Sequence, residues 1–319
     1  MSVTQPRRIL TEHWLKGSDQ RMTQRIRVYE NLRGVVYTPF YLASVDGDWQ
    51  KLGLDVDVIK SPATSETAIG LMAGRVDVAW GGPMRVMMHH NEDPSCSLMC
   101  FGQVVSRDPF MLVGREPMQS FRFDDLEGKR IGVASDVPTP WLTFQDDLQR
   151  EGIDPASLDR ADDRSMAENA ARLKAGEIDV MQVFEPYASQ AVADGYGHIL
   201  HRFAVRGDVA FTTFYTTRAF MDANPDVCQT LVKGIGQALD RMYAMPIADL
   251  AAKVSPYFPD LDVKVLAAAI DGYRMAGLWA RETSLPPTAV VRLKAALLSG
   301  GFIQRDMPYD DIARDIGGQ

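Results

Sequence analysis

Cysteine is scarce in this chain: Cys96, Cys100 and Cys228 are its three thiols. An odd, small number argues against a disulfide framework and suits a reducing compartment. Basic blocks are missing too. The 34 Lys and Arg are outnumbered by 42 Asp and Glu, for a net charge of -8. That balance, with no Lys/Arg cluster, excludes nucleic acid as the expected partner. No apolar run approaches the ~20 residues of a membrane span. The first residues carry Arg7, Arg8, Glu12, His13, Lys16, Asp19 and Arg21, and no apolar stretch of the kind a secretion signal needs. The expectation from that start is a cytoplasmic protein, or a periplasmic one if the start is truncated or misassigned. No spacing of His, Cys and carboxylates suggests a metal, no motif suggests a cofactor, and no nucleophile–base set suggests catalysis.

What is present is a unit written twice. Leu71-Met72-Ala73-Gly74-Arg75-Val76-Asp77-Val78 runs into Ala79-Trp80-Gly81-Gly82-Pro83. Leu173-Lys174-Ala175-Gly176-Glu177-Ile178-Asp179-Val180 runs into Met181-Gln182-Val183-Phe184-Glu185-Pro186-Tyr187. Each reads as a helix end, a left-handed Gly stop, a short β-branched strand and a Pro turn opening a new helix. Helix–Gly–strand is common in α/β proteins. Two copies this far apart predict two similar lobes facing one cleft, with ligand at the carboxyl ends of the strands.

The chain order agrees. A leader over 1–24 precedes β-α-β-α-β, with strands near Ile26–Tyr29, Leu54–Ile59 and Val76–Val78 and a helix over Val35–Lys51. A second β/α set follows, and Phe211–Thr217 is a β-rich run that can return to the first lobe. Beyond Arg218 strand signals vanish, and prolines punctuate helices near 226–245, 247–255, 263–277 and 287–299. The predicted class is α/β, with lobe 1 over 25–113 and 211–319 and lobe 2 over 114–210. Two crossings, near Leu112–Arg115 and Val209–Thr213, imply a two-segment hinge with separate cores on either side.

Several pieces then resemble one family in order. They are Tyr37-Thr38-Pro39-Phe40-Tyr41-Leu42-Ala43 with Lys51-Leu52-Gly53-Leu54-Asp55-Val56, the Leu71–Gly82 unit, Asp125-Leu126-Glu127-Gly128-Lys129-Arg130-Ile131-Gly132-Val133, and Phe184-Glu185-Pro186-Tyr187. Over about residues 25–245 the chain resembles the periplasmic-binding-protein-like (type II) proteins that handle nitrate, sulfonates, taurine and thiamine-pyrimidine precursors. The resemblance implies a two-lobed fold closing on a small organic ligand, and an ABC permease as partner if the protein is exported. It also admits an enzyme on the same scaffold, because pyrimidine-precursor synthases and a desulfinase resemble this fold. The clustered Cys run of the synthases is missing here, and Asn31-Leu32-Arg33-Gly34 stands where the desulfinase has its Cys.

The loops after the strands supply the candidate site: Asn31, Arg33, Gly34, Tyr37, Thr38, Trp80, Gly81 and Gly82 from lobe 1, and Asp136, Thr139, Trp141, Phe184, Glu185 and Tyr187 from lobe 2. Aromatics beside open backbone amides suit a planar ligand such as a pyrimidine, an aromatic acid or a sulfonate. Trp80 and Trp141 stack on it or belong to lobe cores. Arg33 pairs with an acidic ligand group or is a solvated turn residue. Glu185 accepts from a ligand N–H or caps the next helix. His89-His90 point about 100° apart on a helix and read as surface groups. Cys96 and Cys100 read as free thiols, and Met84, Met87 and Met88 as core filler.

Overall fold

The computed structural model describes residues 24–316. The expected leader therefore lies outside the described residues, save Gln24. Among the described residues ten strands form two five-stranded sheets. They are β1 (Gln24–Glu30), β2 (Leu54–Lys60), β3 (Val78–Gly81), β4 (Leu98–Val105), β5 (Met111–Gly114), β6 (Arg130–Gly132), β7 (Asp159–Arg160), β8 (Val180–Val183), β9 (His198–Arg202) and β10 (Thr212–Thr217). The first sheet runs β2-β1-β3-β10-β4 and the second β7-β6-β8-β5-β9. In each, three strands are parallel and the fourth in the order is antiparallel to its neighbours. The fold is the α/β, two-lobed one expected.

The doubled unit occupies the same place in both sheets. β3 and β8 are the central strands, each between a parallel and an antiparallel neighbour. Gly74 and Gly176 are left-handed, at φ 70° and 77°. Both strands start two residues later than the β-branched run predicts. The cause is the Asp in each copy. Asp77 accepts the Arg27 backbone N–H at 2.8 Å, and Asp179 accepts that of Arg130 at 3.0 Å. A side chain bonded to the neighbouring strand's backbone replaces the first ladder bond, so regular pairing begins beyond it. The repeated Asp is thus a strand anchor.

The expected helix over Val35–Lys51 breaks into a short turn at Val35–Tyr37, then Thr38–Asp46 and Asp48–Lys51, around Gly47 at φ 66°. The C-terminal helices fall at Pro225–Ala244, Ile247–Val254, Val263–Met275 and Pro287–Ser299. Pro opens the first and last, at the position where a missing N–H costs nothing.

Two expectations need correction. β5 already pairs with β8 and β9. The first crossing is therefore at 106–110, ahead of Leu112–Arg115. It runs beside the return at 203–211, tied by Phe203 N–H to Phe110 O (3.0 Å) and Val209 N–H to Ser106 O (2.8 Å). Nor are the two cores separate. Buried apolar residues continue from the first sheet to the second through Phe110, Phe184 and Tyr273. The Val263–Met275 and Pro287–Ser299 helices of the C-terminal part also touch second-sheet helices, at Tyr187–Ala193 and Thr139–Arg150. At the crossings Arg206 is buried between Asp108 and Asp147, and Arg292 donates to the Arg206 carbonyl. Burial pushes the Asp108 carboxyl up against the pull of Arg206. No helix among the described residues is long and apolar enough to cross a membrane.

Candidate functional site

A narrow cleft lies where the two sheets meet. Its apolar walls come from Leu32, Val36, Met84, Phe110, Val137, Phe184, Phe211 and Leu293. Few polar groups face in: Asn31, Tyr37, Arg85 and Thr139, with backbone at Gly82. Such a balance, apolar walls with a small number of placed polar groups, is that of a small-molecule pocket.

The first-sheet side is built by the turn after β1 and the helix after β3. Asn31 accepts from Thr67 Oγ1 at 2.9 Å, which holds its amide in place. The Tyr37 hydroxyl bonds to Asn31 and Thr212, and burial pushes its pKa up to about 12, so it faces the cleft uncharged. Gly81 has no room for a side chain larger than hydrogen without crowding: a Cβ there would meet Asn31 and Tyr215 at 3.3–3.4 Å. The Pro83–Glu92 helix begins at Gly82 with no side-chain cap and no acid in its first turn. On the second-sheet side the Thr139–Arg150 helix begins in the same way. Both helices bring a positive dipole end to the cleft.

Of the residues expected at the site, the structure brings Asn31, Tyr37, Gly82, Thr139 and Phe184 together on the cleft wall. Gly34 lies behind them, its Cα side 3.3 Å from the Phe184 ring as a Cβ would measure it. Thr38 is buried and donates to Val35 O at 2.7 Å. Tyr187 is half-buried at the start of its helix, and the Asp136 carboxylate accepts from Met166 N–H at 2.7 Å.

For four of the expected residues packing or pairing in the structure favours the reading that is not ligand contact. Trp80 has no exposed surface and stacks on Phe40 with ring centres 4.3 Å apart. Arg33 spends its fork on Glu30, with two contacts of 2.7 Å, and lies over the Tyr41 and Tyr257 rings. Trp141 packs edge-on to Phe144 beneath Arg160, away from the lining set. Glu185 is buried, and its carboxylate takes the Ser189 N–H and hydroxyl, both at 2.9 Å. It caps the Tyr187–Ala193 helix, the second of its two sequence readings. Burial nonetheless holds its pKa above the usual value, against the Ser189 bonds.

Arg85 is the functional candidate that sequence reasoning passed over. It sits in the first turn of its helix, where a cation opposes the dipole. That unfavourable placement was the available signal. Cys96, Cys100 and Cys228 are free, and His90 is buried against Leu98 O at 2.9 Å. His90 is thus not the surface group expected. No His, Cys and carboxylate cluster able to hold a metal exists among the described residues.

Comparison with known proteins agrees with this architecture. The model of the NMT1-like family matches residues 33–255. A Bacillus subtilis (strain 168) protein named "Putative binding protein YtlA" is 25% identical over 290 residues, covering 90% of this chain and 87% of its own length. The periplasmic aliphatic sulphonate binding protein SsuA from Escherichia coli superposes with a TM-score of 0.74 at 14% identity, over 90% of this chain and 96% of that one. The alkanesulfonate-binding protein SsuA from Xanthomonas axonopodis pv. citri, bound to MOPS, gives 0.70 at 16%, over 91% and 98%. At such identities the solved structures speak for the fold.

Proposed function

The chain belongs to the NMT1-like family, and on that premise we propose that it is the solute-binding component of an ABC import system. Its two lobes close on a small organic molecule held in the cleft and present it to a permease. In that role it works on the outer face of the membrane, in place of the cytoplasm suggested by its first residues. The observation that carries this reading is the cleft itself. It is walled by both sheets, lies at the carboxyl ends of β1 and β3, and is lined by apolar side chains with a few oriented polar groups. Among the described residues its lining offers Asn31, Tyr37, Arg85 and Thr139 as partners for recognition. The ligand classes that suit the walls are planar: aromatic acids, sulfonates and pyrimidines.

The test is a thermal-shift screen across those classes, followed by solution scattering with and without the best hit. A ligand-dependent rise in melting temperature with compaction supports the reading. No compound of the three classes changing the melting temperature at millimolar concentration, or a hit that leaves the dimensions unchanged, would refute it.

A further inference from the structure

Among the described residues Arg85 is the one charged side chain in the cleft's lining. Its guanidinium donates to the Thr64 hydroxyl at 3.3 Å and makes no ion pair among the described residues. Two carboxylates on the turns that follow the cleft-facing strands are committed to other partners. Glu30 is held by Arg33 and by the Tyr41 hydroxyl, at 2.5 Å. Asp136 is held by the Met166 amide. A partly buried guanidinium loses hydration and normally recovers it in a carboxylate fork. Here two uncapped helix starts add further positive potential to the same space. Burial accordingly weakens the hold of Arg85 on its proton. The same lining includes Phe110, Phe184, Phe211 and Leu293.

We propose that Arg85 is the specificity-determining residue of the cleft, and that it selects a ligand with one carboxylate or sulfonate on an apolar, ring-sized body. This rests on the solute-binding reading above and narrows it. A neutral ring would leave the guanidinium desolvated and unpaired, so the site discriminates against pyrimidines and amides by the cost of that orphaned charge. A bare inorganic anion such as nitrate would satisfy Arg85 and leave the aromatic walls uncovered. The planar fork matters as well as the charge, because only a guanidinium can give two parallel N–H bonds to a planar carboxylate or to two sulfonate oxygens.

The experiment is calorimetric titration of the full chain with benzoate, benzenesulfonate, benzamide, 4-aminopyrimidine and nitrate, on wild type, Arg85→Lys and Arg85→Gln. Wild type should bind at least one of the two acids about ten- to a hundredfold more tightly than benzamide. Whichever acid binds better tells carboxylate from sulfonate. Arg85→Gln should bring that acid and benzamide to within about threefold of each other, and Arg85→Lys should recover part of the difference. Far-UV circular dichroism on both variants separates lost binding from lost fold. Equal affinity for acids and neutral rings in wild type would overturn the role of Arg85 while leaving the solute-binding reading intact, as would nitrate outcompeting both acids. An Arg85→Gln variant that is folded and binds the acids as wild type does would overturn it too. Failure of all five probes to bind wild type would count against both.

Discussion

Replacing Trp80 by Ala should cost stability and spare the ligand's direct contacts. Trp80 lies in β3, one residue before its end, with no exposed surface. Its ring stacks on Phe40 at 4.3 Å and 15°, and meets Tyr37 edge-on at 6.3 Å. Truncating a wholly buried Trp removes its transfer energy and leaves a cavity, about 3–5 kcal/mol together. Of that, roughly 0.5–1.5 kcal/mol is the ring pairing with Phe40. A second variant sharpens the reasoning. The Trp80 Nε1 is buried with no hydrogen-bond partner. Trp80→Phe discards this unpaired donor and keeps a ring against Phe40, so its penalty should stay below about 2 kcal/mol. Urea melts on the three proteins measure both numbers, provided the slope with denaturant is unchanged. Affinity for whichever acid binds wild type should fall by less than about tenfold, the residual effect passing through Tyr37. A stability loss below about 1 kcal/mol, with affinity down a hundredfold or more, would show that Trp80 faces ligand and that the packing account is wrong.

Two further perturbations address the junction of the sheets and the pH response. Arg206→Met removes the cation between Asp108 and Asp147, and leaving the buried Asp108 and the half-buried Asp147 without it should cost about 3–5 kcal/mol in a denaturant melt; a loss under about 1 kcal/mol would mean that the carboxylates find water instead. His201 lies among the Phe121, Phe123 and Phe203 rings, and burial, with Arg206 nearby, holds its pKa below the ordinary 6.5. The unfolded chain then takes up the proton first, so stability contributed above pH 6.5 is lost as pH falls below it. His201→Phe should flatten that slope in melts at pH 7.5 and 5.5, and an unchanged slope would assign it to other groups, His89 first among them, which burial depresses in the same direction.

Local chemistry made the helices readable. Pro225 and Pro287 mark helix starts, and Gly74 and Gly176 mark stops, whatever the rest of the chain does. The site was less readable because its residues converge from distant segments. Phe110 and Phe211 sit on the two crossings and Leu293 on a C-terminal helix, and no local pattern brings them beside Asn31. Trp80 misled for a different reason. Every residue of β3 is buried, so alternation cannot tell the sheet face of a strand end from a ligand face. Glu185 presented two sound readings, and the choice between them turned on where Ser189 points, which is a matter of three-dimensional placement. Arg85 was within reach: a cation in the first turn of a helix, just after Gly81-Gly82-Pro83, pays an electrostatic penalty that some partner must offset.

The junction between the sheets also bears on how ligand enters. On one flank Tyr273 bonds to the Glu185 amide at 2.8 Å and to Pro109 O at 3.2 Å, within the continuous apolar core. On another, the Pro287–Ser299 helix packs on the Thr139–Arg150 helix above the Arg206 cluster. Parting the sheets there would expose buried rings and charged groups together, at several kcal/mol. Beside Arg85 the span is lighter. The Thr64 hydroxyl donates to Asp136 O at 3.2 Å, a neutral bond worth about 1 kcal/mol net. The same hydroxyl is the acceptor for Arg85. An anion that draws the guanidinium into its own fork frees Thr64 from that role, and the Thr64–Asp136 contact is then free to tighten or release. On the solute-binding reading proposed above, the unpaired charge sits on the side where the described span between the sheets is a single neutral hydrogen bond. If the proposed ligand binds there, its recognition and the closing of the lobes would act on the same few atoms, and a ligand shifts such an equilibrium only by the difference in affinity those atoms create.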